Sequence, residues 1–365
     1  MENGTLSRRR FLMLAAGSVC AMAVPAWLTS CSAGQDDGVD DATAGSDADN
    51  EAYEVQSLTL FLFDTVIQIS ALCAPELMDR ISERCRFFED RFSRTKEGSD
   101  IWNINQAHGA PVEVSEETAR CIEASIAYSE ASGGLFDISI GAVSSLWDFV
   151  EGIKPDDDAI KEAVKHVDYR TISVDGTTVT LSDPDAMLDL GGIAKGFITD
   201  DLVSMLREAG CKSAMLSLGG NVYVLGESFR GNVYVLGESF RGDDWNVGVQ
   251  DPNGTANDVI ASIPVRDKSL VTSGLYERSF TVDDVLYYHI LDPRTGYPVK
   301  TDLASASIVS DSSTDGDAYS TTLFLMGHDK AMDLLNSDER FSGLLVDMND
   351  TATSSAGSGF TLLNE

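Results

Sequence analysis

Basic residues are scarce in this chain of 365 residues: 26 Lys and Arg stand against 59 Asp and Glu, which gives a formal net charge of −33. Proteins that hold nucleic acid by its phosphates need clustered Lys and Arg, and so do surfaces that rest on anionic lipid. The composition therefore excludes a nucleic-acid-binding protein and a basic membrane-surface module. With 43% hydrophobic residues, the chain has ample apolar side chains for a packed core.

Familiar metal and hydrolase motifs are also missing. The six cysteines include no C-x-x-C pair, so their spacing does not indicate a zinc site. The absence of a Walker loop, of G-x-S-x-G and of H-E-x-x-H excludes the commonest nucleotide hydrolases, serine hydrolases and zinc proteases. Outside the cytoplasm a disulfide could form, but the sequence cannot pair the cysteines of the folded part, which are Cys73, Cys85, Cys121 and Cys211.

The first thirty residues predict an export signal. Arg8–Arg10 precede an apolar run from Phe11 to Leu28. The arginines resemble a twin-arginine signal, and Leu28–Cys31 resembles a bacterial lipobox, which places a diacylglycerol on the cysteine after cleavage. We expect residues 1–30 to be cleaved off and the protein to be exported and lipid-anchored at the outer face of the bacterial cell membrane. The alternative is an ordinary N-terminal anchor helix.

Residues 31–52 predict a tether between the lipidated Cys31 and the folded domain. Apart from Val39, the stretch after the cysteine holds only small and polar residues, with seven acids and no base. Such a segment cannot bury enough apolar surface to fold, so we expect an extended, disordered linker. The folded domain is expected over residues 53–365.

Helical and strand-like patterns follow one another in groups within the folded part, which predicts an α+β fold with a mixed, largely antiparallel sheet and flanking helices. Apolar steps of three and four residues predict helices, and Ser115 is a candidate N-cap. β-Branched and aromatic runs predict strands. The predicted strands include Leu58–Ser70, Thr171–Val174, Val179–Leu181 and Ala306–Ser310, and the predicted helices are Pro75–Phe92, Ser115 to Gly133, Ala194–Ala209 and Asp317–Met326.

An eleven-residue segment occurs twice in tandem. Gly220–Arg230 and Gly231–Arg241 are identical, whereas natural repeats drift and stacked-repeat folds need at least three units. The identity indicates a recent duplication or a gene-assembly artefact. We expect the surplus copy to be looped out or added as a hairpin, without a part in the active site.

Three segments carry candidate chemistry, and the first is Leu188–Gly196. A glycine pair that leads into a helix lets backbone groups approach a ligand closely, and a helix N-terminus attracts anions. Lys195 falls in the first helical turn, where the helix dipole disfavours a cation, so a bound phosphate would explain it. A tight strand-to-helix turn with a solvated lysine explains the segment equally well.

The second segment contains Asp317, and the third contains His289. On a helix, Asp317 and Thr321 present two oxygens on one face, and hard oxygen ligands beside phosphates suit Mg²⁺. A surface aspartate that caps a helix is the alternative. His289 precedes the turn-forming run Asp292–Pro298, and a lone histidine is more often structural than catalytic.

Taken together, the motifs resemble the FAD:protein FMN transferases, the ApbE family. The resemblance runs from about Leu58 to Gly327 and rests on motifs in the family's order. These are Phe92–Arg94 with Ser99–Asn105, Gly133–Asp137, LDLGGIAKG, LGGN, WNVGVQDP, TSGLYER, HILDPRTGYP and GDAYSTTLF. The family transfers the FMN half of FAD to a Thr or Ser hydroxyl of a target protein and releases AMP. The resemblance therefore implies a single α+β domain that binds FAD and Mg²⁺ in one cleft.

Site residues follow from the resemblance position by position. Asp317 and His289 are the expected catalytic residues, with Mg²⁺ held by the Gly192 carbonyl, Asp317 and Thr321. Phe63 and Thr95 stand where many members have Met and Tyr next to the flavin or adenine, so cofactor packing should differ there. The remaining residues expected to contact FAD or line its cleft are Leu135, Phe136, Asp137, Asp189, Lys195, Thr272, Ser273, Gly274, His289 and Leu291.

Two other functions remain open from the sequence. Water could replace the protein hydroxyl, which would make the enzyme a Mg²⁺-dependent FAD pyrophosphatase that releases FMN and AMP. The chain could also be a lipoprotein that binds FAD without turnover, although the catalytic positions are intact. The resemblance implies that the acceptor protein is an exported flavoprotein or a membrane redox subunit.

Overall fold

One antiparallel sheet of eight strands organises the molecule, seen in a computed structural model that describes residues 54–229, 243–255 and 258–363. The expected signal peptide, the expected tether and the second copy of the repeat lie outside these residues. The sheet runs in the order β1 (Val55–Leu62), β2 (Thr65–Leu72), β6 (Ser213–Leu218), β7 (Asn221–Gly226), β10 (Lys268–Gly274), β13 (Leu303–Ser310), β14 (Ser342–Asp347) and β15 (Ala352–Ser354).

Three small antiparallel sheets accompany it. They consist of β3 (Val112–Glu113), β5 (Thr178–Leu181) and β4 (Ile172–Asp175); of β16 (Thr361–Leu362), β9 (Val259–Val265) and β8 (Trp245–Gln250); and of the hairpin β11 (Ser279–Val282) and β12 (Val285–Tyr288). The helices are α1 (Pro75–Phe92), α2 (Asp100–Gln106), α3 (Glu116–Ala131), α4 (Gly141–Ser144), α5 (Asp157–Ala163), α6 (Ala194–Glu208), α7 (Ser313–Met326) and α8 (His328–Ser337), with short 3₁₀ turns at Val164–His166 and Tyr169–Thr171. The predicted α+β class is confirmed.

The predicted single strand over Leu58–Ser70 is wrong, because the chain reverses in its middle. Phe63 and Asp64 have φ angles of 56° and 54°, so β1 and β2 are joined by a two-residue turn with both residues in the left-handed region. Such turns usually carry Asn or Gly, and a bulky Phe at positive φ is strained. The Phe63 N–H donates to the Glu89 carboxylate at 2.8 Å, which holds the turn against α1.

Helices α6 and α7 cap each other. Asp200, on α6, accepts hydrogen bonds from the N–H groups of Ser313 and Thr314 at 2.8 and 2.9 Å, at the start of α7. Asp317, on α7, accepts from the N–H of Gly196 at 2.9 Å, in the first turn of α6. Each helix therefore supplies the acceptor for N–H groups that have no partner within the other helix.

The same contacts correct the predicted start of α7. The helix begins at Ser313, four residues before the prediction, and its N-cap is Ser312, whose hydroxyl accepts from the Asp315 N–H. Asp317 lies inside the helix, so the interpretation of this residue as a surface cap of its own helix is wrong. Its side chain is only 5% exposed.

The main apolar core lies between the sheet and the helices α1, α3 and α6. It includes Ile67 and Ile69 from β2, Phe88 from α1, and Leu202 from α6, all fully buried. The four cysteines of this part are all buried and free, and no disulfide joins them. The first copy of the repeat supplies β7. Within the described residues, no helix is long and apolar enough to cross a membrane.

Candidate functional site

The loop before α6 is organised around the Asp189 carboxylate. It accepts hydrogen bonds from the Gly191 N–H at 2.9 Å and from the Ser144 hydroxyl at 2.6 Å. The guanidinium of Arg94 lies 3.3 Å away. These contacts join three separate chain segments and fix the turn that leads through Gly192 into α6. Asp189 is therefore placed as an organiser of the loop.

Lys195 and Asp317 meet where α6 and α7 come together. The Lys195 ammonium lies 3.4 Å from Asp317 Oδ1 and 3.3 Å from the Gly191 carbonyl oxygen. Gly196 permits this approach, because a Cβ at that position would lie 2.2 Å from the Ser313 carbonyl oxygen. The lysine in the first turn of α6 is thus compensated by a buried carboxylate, so a phosphate is not needed to explain it.

A group of hydroxyl oxygens surrounds the next turn of α7. Thr321 Oγ1 lies 3.4 Å from Ser273 Oγ, which in turn lies 2.9 Å from Ser320 Oγ. A Cβ placed on Gly192 would lie 3.9 Å from Thr321 Oγ1 and 3.1 Å from the Phe136 ring. The structure therefore brings three predicted positions, Gly192, Ser273 and Thr321, next to Asp317, with Phe136 as an apolar wall.

Strand β10 supplies the remaining predicted lining residues. Thr272 Oγ1 lies 2.7 Å from the buried Ser307 Oγ of the neighbouring strand β13, which fixes its side chain. Gly274 ends the strand and packs closely against Tyr276, since a Cβ at position 274 would lie 2.7 Å from the Tyr276 ring. Both residues flank Ser273.

His289 follows the hairpin β11–β12 and faces Glu277. Its Nε2 lies 3.7 Å from Glu277 Oε2, and its Nδ1 is buried without a hydrogen-bond partner among the described residues. Burial lowers the pKa of His289 to about 4, and the positive charges of Arg278 and Lys195 act in the same direction. The imidazole is therefore neutral at pH 7. The buried, unsatisfied nitrogen is the kind of atom that a bound ligand completes.

Glu277 is a site residue that the sequence motifs did not single out. Surrounding protein atoms raise the pKa of its carboxyl, whereas Lys195 lowers it. A third of the side chain stays exposed, so solvent moderates the shift. Its motif, TSGLYER, could have pointed to it, but the contact with His289 depends on the geometry of the hairpin between them.

Leu135 and Asp137 are the chain neighbours of Phe136, whose ring lies beside Gly192. The Asp137 carboxylate accepts from the Ser139 N–H at 2.8 Å and from the Tyr169 N–H at 3.0 Å. Burial raises the pKa of Asp137, and these hydrogen bonds oppose the shift. The side chain therefore holds the backbone around Phe136, while Leu135 is half-buried.

Three predicted residues lie at the edge of the group or away from it. Phe63 is in the β1–β2 turn, whose Asp64 carbonyl accepts from Arg278 at 3.4 Å. Thr95 is exposed and contacts Ser93. Leu291 is buried in a separate apolar cluster with Val143, Trp147 and Ile160.

The oxygen donors suit a hard cation. The Lys195 ammonium already lies between the Gly191 carbonyl and the Asp317 carboxylate, so the pocket attracts positive charge. Hard oxygens of this kind are what Mg²⁺ prefers. Among the described residues, the one group of three or more His, Cys, Asp or Glu side chains with potential ligand atoms within 4.8 Å of one another is His166, Asp183 and Asp185, and it contains none of the predicted ligands.

Comparison with known proteins identifies the family. Its sequence profile, described as the ApbE family, matches residues 63–345. The chain belongs to the ApbE family. It is 38% identical to the FAD:protein FMN transferase of Treponema pallidum over 275 residues, which cover 73% of this chain and 75% of the relative. It is 32% identical to the enzyme of that name from Klebsiella pneumoniae, over 83% of this chain and 91% of the relative.

Solved structures agree with this assignment. The ApbE protein of Thermotoga maritima superposes with a TM-score of 0.74 at 32% identity, over 83% of this chain and 97% of its own. The flavin transferase ApbE of Vibrio cholerae gives a TM-score of 0.70 at 23% identity, over 83% and 97% of the two chains, and so supports the fold alone. The resemblance to ApbE proteins predicted from the motifs is confirmed.

Proposed function

We propose that this protein transfers the FMN part of FAD to a Ser or Thr hydroxyl of a target protein and releases AMP. The observation that carries the proposal is the convergence of Asp317, Thr321, Gly192 and Lys195 at the junction of α6 and α7. The names of the similar ApbE proteins specify transfer of FMN from FAD to protein. Transfer of a phosphoryl group depends mainly on positioning and charge neutralisation, and this junction offers both.

The metal part of the proposal assigns Mg²⁺ to Asp317, Thr321 and the Gly192 carbonyl. When bound there, Mg²⁺ would supply charge neutralisation on the pyrophosphate of FAD. A cation at this place would offset part of the repulsion between an acidic protein and an anionic substrate. Lys195 contributes a second positive charge, which can turn from Asp317 towards a phosphate.

His289 is proposed to hold the proton of the attacking hydroxyl. The imidazole is neutral at pH 7, as this role requires. Anionic phosphates bound beside it would raise its pKa from the low value that burial imposes. The Glu277 carboxylate lies beside the ring, with Oε2 3.7 Å from Nε2.

Product analysis distinguishes this function from the two alternatives. The folded domain is incubated with FAD, Mg²⁺ and a panel of exported flavoprotein and redox subunits from the same bacterium. A fluorescent band in the gel with the mass gain of FMN supports transfer. Free FMN and AMP without labelled protein would support a pyrophosphatase, and unchanged bound FAD would support a carrier.

We also propose that the protein works outside the cytoplasm, anchored by a lipid on Cys31. Arg8–Arg10 and the lipobox-like Leu28–Cys31 support this location, as does the acidic stretch that follows. In that case the acceptor is an exported flavoprotein or a membrane redox subunit. Cys31→Ala should move the protein from the membrane fraction to the soluble fraction. Retention of the variant in the membrane would contradict lipid anchoring.

A further inference from the structure

The carboxylate of Glu277 faces His289 at the base of the hairpin β11–β12. Its Oε2 lies 3.7 Å from His289 Nε2. Among the described residues, this contact is the only ion pair or hydrogen bond that the Glu277 side chain makes. Its Oε1 lies on the side of the β6–β7 turn, 3.7 Å from the position that a Cβ on Gly220 would take. Carboxylates within a protein site are normally paired or hydrogen-bonded, so this one is available to stabilise a positive charge that forms during the reaction.

The two ring nitrogens of His289 differ in their access to the site. Nδ1 is buried and has no hydrogen-bond partner among the described residues. Nε2 also lacks a hydrogen bond in that part of the chain, but it is not buried, and 30% of the side chain is exposed. A hydroxyl that enters the site therefore reaches Nε2, and the proton of the neutral ring belongs on Nδ1. Any further proton arrives at the nitrogen that faces the Glu277 carboxylate.

His289 alone is a weak base for a hydroxyl proton. Burial lowers its pKa to about 4, and the positive charges of Arg278 and Lys195 act in the same direction, while Asp189 opposes them. A general base works best when its pKa lies near the working pH. A negative charge close to Nε2 would supply the missing stabilisation of the imidazolium. Within the described part of the chain, Glu277 is the one acidic side chain at ion-pair distance from the ring.

Charged groups of both signs act on Glu277 in turn. Burial raises the pKa of its carboxyl group, Lys195 lowers it, Asp317 raises it and Arg278 lowers it. A carboxylate whose pKa is raised attracts a proton more strongly than an ordinary one. Because it lies 3.7 Å from the imidazole, the two groups bind protons as a pair. A proton taken up at Nε2 is therefore stabilised by both of them.

The hairpin itself holds the two side chains together. Its strands β11 and β12 pair antiparallel along their whole length. The His289 N–H donates to the Arg278 carbonyl at 3.1 Å, which extends the pairing by one step. Glu277 directly precedes Arg278 in the chain. The backbone therefore keeps the carboxylate and the imidazole at the same end of the hairpin.

We propose that Glu277 is a positioning residue of the transfer reaction, whose carboxylate holds the proton of the acceptor hydroxyl on Nε2 of His289. This inference rests on the proposed function, in which His289 receives that proton. Glu277 acts through His289 and does not need to touch either substrate.

The reaction step balances as follows from these positions. The O–H bond of the acceptor hydroxyl breaks while its oxygen forms a bond to the phosphorus of the FMN half of FAD. The P–O bond to AMP breaks, and AMP leaves with the electron pair of that bond. The proton goes to His289 Nε2, where the Glu277 carboxylate lies beside the new positive charge. The pair later returns the proton to solvent.

The pH dependence of transfer by Glu277→Gln tests this role. The substitution keeps the size of the side chain and removes its charge. The probe is the exported subunit that the unmodified enzyme labels in the product analysis, with FAD and Mg²⁺, between about pH 5 and 9. We expect kcat to fall at least about tenfold, with a much smaller change in the KM for FAD. The acid limb of the kcat profile should move to lower pH by at least about one unit, because the imidazolium loses its stabilising charge.

Two further variants complete the test. Glu277→Asp keeps the charge but moves it away from the ring, so its kcat and its acid limb should lie between those of the unmodified enzyme and Glu277→Gln. Asp283→Asn is the matched control, because it removes one negative charge at the opposite end of the same hairpin. Asp283 has a φ angle of 50°, which Asn tolerates, so the turn should be kept. Its kcat and pH profile should equal those of the unmodified enzyme.

Several outcomes would overturn the inference. An unchanged acid limb in Glu277→Gln is one of them, even if kcat falls, since a purely structural role would lower kcat and Tm without moving the limb. A higher Mg²⁺ requirement with an unchanged limb would assign Glu277 to the metal site instead. If Glu277→Gln does not fold, an unchanged kcat and limb in Glu277→Asp would be decisive against the role. If the unmodified enzyme labels no protein at all, the proposed function itself fails, which is distinct from normal labelling by the Glu277 variants.

Discussion

Replacing Asp317 separates its two roles, because the side chain both caps α6 and faces the proposed metal site. Its Oδ2 accepts from the Gly196 N–H at 2.9 Å, and its Oδ1 lies 3.4 Å from the Lys195 ammonium. Asp317→Ala removes both contacts. Asp317→Asn keeps an oxygen that can accept from Gly196 but removes the charge. The two variants should therefore differ in stability and agree in activity.

The magnitudes follow from these contacts. An unsatisfied buried N–H costs about 1–3 kcal/mol, and loss of a helix cap costs a similar amount. The ion pair with Lys195, which is 23% exposed, adds less than about 1 kcal/mol. We expect Asp317→Ala to lower the free energy of unfolding by about 2–3 kcal/mol, or roughly 3–5 °C in Tm for a domain of this size. Asp317→Asn should cost about 1 kcal/mol. Both leave the domain folded.

Activity should fall by at least about 10³-fold in both variants, because phosphoryl transfer loses a group that positions positive charge. The measurements are calorimetric melting and labelling of an acceptor in Mg²⁺, followed by flavin fluorescence in the gel. Near-normal labelling by Asp317→Asn would refute the metal assignment. An unchanged Tm for Asp317→Ala would refute the capping role, whatever happens to activity.

Three further predictions concern the helix junction, the histidine and the repeat. Gly196→Ala should strongly destabilise the domain in thermal melts, since its Cβ would lie 2.2 Å from the Ser313 carbonyl oxygen; an unchanged Tm would contradict this packing. The low pKa of His289, about 4, predicts that its contribution to stability is complete above about pH 6.5 and falls towards pH 4, because only the unfolded state is protonated between these values. Urea unfolding at about pH 7.5 and 5.0 measures the free energy of unfolding at each pH. Between the two pH values, His289→Asn should lose less of this free energy than the unmodified protein does, and an equal loss would assign the effect to other groups. Deletion of residues 231–241 should leave activity and folding intact, and an unfolded product would show that the second copy is structural.

Helices with local signals are predictable from the sequence. The pattern predicts Pro75–Phe92 residue for residue, because a proline starts the helix and apolar residues recur on one face. The helix after Ser115 is predictable because its cap is local: the Ser115 hydroxyl accepts from the Thr118 N–H. In both cases the information lies within a few residues of the helix end.

Features fixed by distant residues are not predictable in this way. Phe63 and Asp64 include no glycine, asparagine or proline to signal a turn, and their left-handed conformation is held by Glu89, 26 residues beyond Phe63. The start of α7 has a local cap, Ser312, which the sequence prediction missed, and a second acceptor, Asp200, which lies more than a hundred residues earlier in the chain.

The candidate site shows the same division. Motif order is enough to indicate the family and to select residues that the fold places side by side, such as Ser273 and Thr321. The partners of those residues are harder to find. Arg94 beside Asp189 and Glu277 beside His289 come from separate segments, and only the folded chain shows the pairs.

The mutual capping of α6 and α7 makes the start of one helix depend on the start of the other. If α6 frays at Gly196, Asp317 loses its donor, and if α7 frays at Thr314, Asp200 loses one of its donors. The two helix ends should therefore open together as one cooperative unit. In native-state hydrogen exchange, the amides of Gly196 and Thr314 should share one opening free energy. A ligand that bridges the helices would then slow exchange at both amides by the same factor.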